Sequence, residues 1–323
     1  MAAGPPARRA ALRHAEHVMG TVFSFTVRDP TAATDRALRR IVERLHRIDE
    51  VFSTYRPTSD ISRLGRGELT LARCDPDVAE VLERCREVAI ETDGWFTDHP
   101  GGRLDPSGWV KGWAVEEASR YLRAAGSTRH SVGGGGDVQT CGGPWRIGIA
   151  DPVRPGGLAA VVSGHDLAVA TSGVAERGAH IWDPHTDRPA GGMLSVTLVG
   201  RWLARTDAWA TAAFAMGFAR ALDRVEQLPA TEAFAVLEDG ARRWTSGFPR
   251  HLAPAPPPAT GPAQWGPSGT GRPSVASGPV RCGPVRCART GPVSGTLPRS
   301  STAMAPCADH ECGHAPDAPA EWR

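Results

Sequence analysis

WRIGIADPVRPGGLAAVVSGHDLAVAT, residues 145–171, holds three short apolar runs separated only by turn residues. WRIGIA (145–150), LAAVV (158–162) and LAVAT (167–171) are each too short for a helix and are bounded by Gly, Pro and Asp, so each reads as a strand. A fourth run, LSVTLVG (194–200), follows closely. Strands that cluster, instead of alternating with helices, predict an α+β fold and not a doubly wound parallel sheet.

Upstream, TVFSFTV (21–27) reads as a first strand. Three helical patterns follow it. One starts near Thr34, with Leu38, Ile41, Val42, Leu45 and Ile48 at helical spacing. A second runs from Asp77 to Glu91 behind the Asp75-Pro76 start signal, and a third from Lys111 to Ala125. Downstream, a helix is expected from Arg205 to Met216 and a helical turn near Ala221 to Gln227. AFAVLED (233–239) and ARRWTS (241–246) then close as a hairpin around Asp239-Gly240.

The 323 residues suffice for one large domain, and a net charge of +2 with no basic stripe argues against a nucleic-acid surface. Residues 1–15 read as a flexible N-terminus without an apolar signal region, and no run approaches the ~20 apolar residues of a membrane span. The expected compartment is therefore the cytoplasm. Cys74, Cys85 and Cys141 read as buried thiols. Residues 253–323 are Pro/Gly-rich with few large apolar side chains, which predicts a disordered tail after a body spanning 16–252. Cys307, His310, Cys312 and His314 in that tail could bind zinc or be an accidental cluster.

Four segments could carry chemistry. Asp207 and Thr211, four apart in TDAWATAAFAMG (206–217), put two hard oxygen ligands suited to magnesium on one face of an apolar helix. The plainer possibility is a helix cap at Asp207 and a main-chain bond from Thr211. His180, in HIWDP (180–184), has the chemistry of a general base on a stiff loop, or is a structural turn histidine. Gly133 to Gly136 before Asp137 would let main-chain N–H groups approach a pyrophosphate, or form an ordinary turn. Lys111 near a helix start conflicts with the helix dipole unless an anion lies close.

The order of these segments is specific. Met19-Gly20-Thr21 is followed by FSTYRP (52–57), DISRL (60–64), TDGWF (92–96) and DPSGWVKGWAVE (105–116). Next come GGGGD (133–137), ATSG (170–173), HIWDP and TDAWATAAFAMG. The series, over residues 16–250, resembles the ApbE-type FAD:protein FMN transferase family. That resemblance implies an ApbE-like α+β fold, with mostly antiparallel sheets flanked by helices and FAD in a cleft. It implies that Mg2+ is held by Asp207, Thr211 and a main-chain carbonyl of the 105–110 segment, taken here as that of Ser107. His180 would stand at the reacting centre, with Asp183 either orienting it or capping the adjacent turn. Met19, Tyr55, Asp105, Lys111 and Ser172 would line the FAD site.

The implied reaction moves FMN from FAD to a Ser or Thr of an acceptor flavoprotein and releases AMP. Hydrolysis of FAD by the same parts, or flavin carriage without chemistry, are the alternatives. A carrier would need no base, which counts against the last of these.

Overall fold

In a computed structural model, the described residues are 10–174 and 181–253. The chain opens with a hairpin, β1 (Leu12–Val18) and β2 (Thr21–Val27), then α1 (Ala32–Phe52), α2 (Asp60–Gly65), α3 (Pro76–Glu91) and α4 (Ser107–Ala124). Strands β3 (His130–Gly134), β4 (Asp137–Cys141), β5 (Trp145–Ala150), β6 (Leu158–Gly164) and β7 (Ala168–Gly173) follow. A small hairpin of β8 (Trp182–Asp183) and β9 (Arg188–Pro189) leads to β10 (Met193–Gly200). The body closes with α5 (Leu203–Met216), α6 (Phe218–Glu226), β11 (Glu232–Leu237) and β12 (Arg242–Trp244).

Eight strands form one sheet in the order β1-β2-β3-β4-β7-β10-β11-β12, and every pairing in it is antiparallel. The expected α+β architecture is thus present. The sheet is covered on both faces, which explains why LAVAT and LSVTLVG read as predominantly apolar runs instead of strict polar–apolar alternation. Ala168, Ala170, Val196, Leu198, Ala233 and Ala235 join the core that includes the helices. Their alternates Val169, Val199, Phe234 and Val236 pack with Ile147, Ile149 and Val162 of the separate β5–β6 hairpin.

Local signals explain the helix boundaries. Thr31 accepts from the Thr34 N–H at 3.2 Å while Thr34 Oγ1 accepts from the Thr31 N–H at 2.8 Å, a reciprocal cap that starts α1. Asp75 accepts from the Asp77 N–H, and Pro76 occupies the first turn of α3. Among the described residues no helix is long and apolar enough to cross a membrane. Cys74, Cys85 and Cys141 are free, but Cys74 is only partly buried.

Several expectations are corrected. Residues 12–15, read as part of a flexible arm, form β1 and pair with β2. The glycine run is half strand and half turn. Gly133 and Gly134 belong to β3, while Gly135 and Gly136 make the two-residue turn at φ +56° and +90°, and Asp137 opens β4. The third helix starts at Ser107 instead of Lys111. The tail after Ala253, with its Cys/His group, lies outside the described residues.

Two predictions arise from the packing. α4 and α5 meet at Gly112, where an added Cβ would lie 2.8 Å from Asp207 Cβ and 2.9 Å from the Leu203 carbonyl oxygen. Gly112→Ala should therefore cost about 2–3 kcal/mol and lower the melting temperature by roughly 5–10 °C. Thermal unfolding followed by circular dichroism checks this.

His130 is fully buried between Ser119 Oγ (2.9 Å) and Ser127 Oγ (3.0 Å), and burial lowers its pKa to about 4. The unfolded chain, with histidine near 6.5, binds the proton more readily, so this stabilisation is present above about pH 6.5 and is lost as pH falls toward 4. Between pH 7 and pH 5 the wild type should lose about 2 kcal/mol through this group. A His130→Gln variant should lack that part of the slope in paired urea titrations.

Candidate active site

The centre forms where α4, α5 and the start of β4 converge. Lys111 lies in the second turn of α4, so its conflict with the helix dipole disappears. Its ammonium instead reaches two carboxylates: it donates to Asp137, and its Nζ lies 3.2 Å from Asp207 Oδ1. Burial works against the lysine charge, but the pull of Asp137 and Asp207 outweighs it and holds the group above the ordinary lysine range. Asp207 moves the same way for the opposite reason. Burial lifts its pKa to about 7, Lys111 pulls against the rise, and the neighbouring Asp137 adds to it. The two shifts are compatible because one ammonium is shared between two carboxylates.

Asp137 is held from behind. Its Oδ1 accepts the Thr171 N–H at 2.9 Å. The β4–β7 ladder covers only Val138–Val169 and Gln139–Ala168, so the Asp137 side chain takes over where main-chain pairing stops. Gly135 permits the approach, since a Cβ there would stand 3.1 Å from Lys111 Cδ and 3.5 Å from Thr21 Oγ1. The sequence contains Asp137 in plain view after the glycines. Its signal, a carboxylate at the mouth of a tight hairpin turn, is one that turn chemistry alone would explain away.

Asp207 is 2% exposed, and its Oδ2 is buried with no hydrogen-bond partner among the described residues. An uncompensated buried carboxylate oxygen is costly and fits a missing cation or donor. Asp207 does not cap α5. The helix starts at Leu203, and its Ala204 N–H is accepted by Glu116 Oε2 at 3.0 Å. Thr211, one turn further, does donate to the Asp207 carbonyl at 3.2 Å, but its hydroxyl lone pairs stay available.

The main chain at 107–108 runs beside Thr211, because a Cβ on Gly108 would lie 3.9 Å from Thr211 Cγ2. Ser107 itself is exposed, with its N–H donating to Asp105 Oδ1 at 2.9 Å. Among the described residues no three His, Cys, Asp or Glu side chains gather as a metal cluster. One carboxylate, a hydroxyl and main-chain carbonyls suit a hard cation that takes its remaining ligands from a phosphate substrate.

The other expected residues are dispersed. Met19 takes the first turn position of the β1–β2 hairpin with φ +55°, two residues before Thr21. Tyr55 is 93% exposed between α1 and α2, so no packing ties it to the Lys111 centre. Ser172 is buried on β7 next to Thr171. His180 lies outside the described residues. Asp183 closes its own turn: Oδ1 accepts the His185 N–H at 2.8 Å, and its carbonyl accepts the Asp187 N–H at 2.9 Å. Burial opposes its charge, but donors from His185 and Thr186 hold the carboxyl below its usual range. Of the two roles weighed for Asp183, the turn cap is the one the described residues show.

Comparison with known proteins bears on the family and the fold. The chain is 34% identical over 155 residues to the FAD:protein FMN transferase of Rhodobacter capsulatus, covering 43% of this chain and 30% of that protein. It is 30% identical over 208 residues to the FAD:protein FMN transferase of Treponema pallidum, covering 54% of this chain and 57% of that one. The chain thus spans under a third and a little over half of these two curated relatives. The ApbE protein of Thermotoga maritima shares the fold with a TM-score of 0.68 at 22% identity, covering 76% of this chain and all of that one. The flavin transferase ApbE of Vibrio cholerae does so at 0.65 and 22%, covering 75% and 99%. The ApbE family model matches residues 19–97 and 97–235, and the chain belongs to that family.

Proposed function

We propose that this protein transfers FMN from FAD to a Ser or Thr hydroxyl of an acceptor flavoprotein in a magnesium-dependent reaction that releases AMP. The observation that carries the reading is the buried, unpartnered Oδ2 of Asp207 beside the Lys111 ammonium. Both relatives described above bear the name of this activity. Magnesium, held by Asp207, Thr211 and a main-chain carbonyl near Ser107, would neutralise charge on the pyrophosphate oxygens.

The chain's own groups do the rest. Lys111, fixed by Asp137, offers a second positive charge to the pyrophosphate without moving. The acceptor oxygen forms a bond to the FMN phosphorus while the anhydride P–O bond breaks, and AMP leaves with that bond's electrons. His180 accepts the acceptor's hydroxyl proton. Met19, Tyr55, Asp105 and Ser172 remain the proposed flavin and adenosine contacts.

The test is incubation with FAD, Mg2+ and a candidate acceptor, following AMP release and acceptor mass. A mass gain equal to FMN, absent in His180→Ala, supports transfer. AMP with free FMN and an unmodified acceptor would convert the reading to FAD hydrolysis, and bound but unchanged FAD would overturn both.

A further inference from the structure

A cleft of about 650 Å³ opens between the segment after α3, the β8–β9 turn and α6, and takes no part in the chemistry above. Its floor is the half-buried Trp95. The His185 ring meets Trp95 edge-on at 4.3 Å between centroids, and the Arg220 guanidinium lies 4.9 Å over the indole. Arg224 and Asp93 form the next wall as an ion pair at 2.8 Å, with Arg224 also donating to the Glu91 carbonyl. The Asp183 carboxylate is engaged by its own turn. Each carboxylate lining the cleft is therefore occupied, whereas the exposed Arg220 has no carboxylate partner among the described residues. A guanidinium laid on an aromatic face keeps its N–H fork free and pre-oriented for a planar anion.

The cleft shares its chain segments with the reacting centre. α5, which bears Asp207 and Thr211, ends at Met216, and α6 then places Arg220 and Arg224 one turn apart. Trp95 precedes Phe96, whose ring packs against Gly108 beside Thr211. Asp183 follows His180 by three residues. A polypeptide presenting its hydroxyl at the centre would lay its flanking residues here.

Resting on the transferase reading, we infer that this cleft is an acceptor-recognition site, in which Arg220 takes an Asp or Glu near the acceptor's Ser or Thr. The FAD pyrophosphate already has Lys111 in that reading, and the carboxylate left to be matched by Arg220 belongs to the acceptor.

The test uses two fluorescein-labelled decapeptides, each with one central Thr, flanked in one by Asp and Glu and in the other by Asn and Gln. Fluorescence anisotropy with the full chain should show the acidic peptide binding roughly tenfold more tightly. Arg220→Ala should abolish that preference while FAD affinity, read from flavin fluorescence, stays at the wild-type value. Arg220→Gln, which keeps the aliphatic stem over Trp95, should do the same and separates lost charge from lost packing. Equal binding of both peptides by wild type, or a preference that survives both variants, overturns the inference. A parallel drop in FAD affinity also overturns it, by making the cleft part of the flavin site. AMP release by wild type is followed in the same preparations. Its absence would overturn the transferase reading while the peptide preference still decides the cleft.

Discussion

Asp207→Asn is expected to cut magnesium-dependent AMP release from FAD by at least about a hundredfold. The substitution preserves volume where the α4–α5 contact leaves no slack, with Gly112 packed against Asp207 Cβ. Its amide oxygen can still accept from Lys111, which retains Asp137 as its counter-ion. What disappears is the negative charge of a buried carboxylate with an unpartnered oxygen. Because that charge is costly to bury, the variant should melt at or above the wild-type temperature without magnesium. Millimolar MgCl2 with FAD should raise the melting temperature of the wild type and leave that of the variant unmoved. Activity within a few-fold of wild type, with the magnesium shift intact, would remove Asp207 from the site.

Lys111→Met should be the most destabilising change at the centre. It leaves Asp137 and Asp207, both essentially inaccessible, facing each other without their shared cation. Breaking such a group by removing one partner costs on the order of 3–5 kcal/mol, or roughly 10 °C in melting temperature for a body of this size. The loss should depend on pH in a fixed direction. A carboxyl whose folded pKa lies above its unfolded value destabilises increasingly as pH rises through that interval, so the deficit should shrink between pH 8 and pH 5. Asp207 already stands at about 7 with the lysine present. A deficit that is small, or that grows on acidification, would show that Lys111 is not the counter-ion of this pair.

The sequence carries the sheet well because burial on both faces writes itself as short, predominantly apolar runs, as in LSVTLVG. It hides β1, whose polar Arg13, His14, Glu16 and His17 look like a flexible arm until β2 pairs with it. It also hides β3 and β4, because the glycines that end β3 and form the turn between them suggest a loop. Gly134 is glycine because Val115 Cγ2 and the Phe23 ring would meet its Cβ, a contact from elements distant in the chain. Asp207 and Thr211 are legible from helical spacing, and Lys111 from the anion that a lysine near a helix start calls for. Asp137 joins the centre only through the Thr171 N–H and the Lys111 ammonium, two long-range partners that local patterning does not encode. Trp95 and Arg220 come together only when α6 lies beside the segment following α3.

The strand order has a consequence for colloidal behaviour. It leaves β1 and β12 as the two rims of the eight-stranded sheet. Arg13 and His17 are exposed on β1, and β12 is only three residues long with Arg242 and Arg243 exposed. Charged or abbreviated rims are how a sheet avoids recruiting foreign strands into its hydrogen-bond ladder. Both rims are thereby guarded against polymerisation with foreign strands or with copies of this chain.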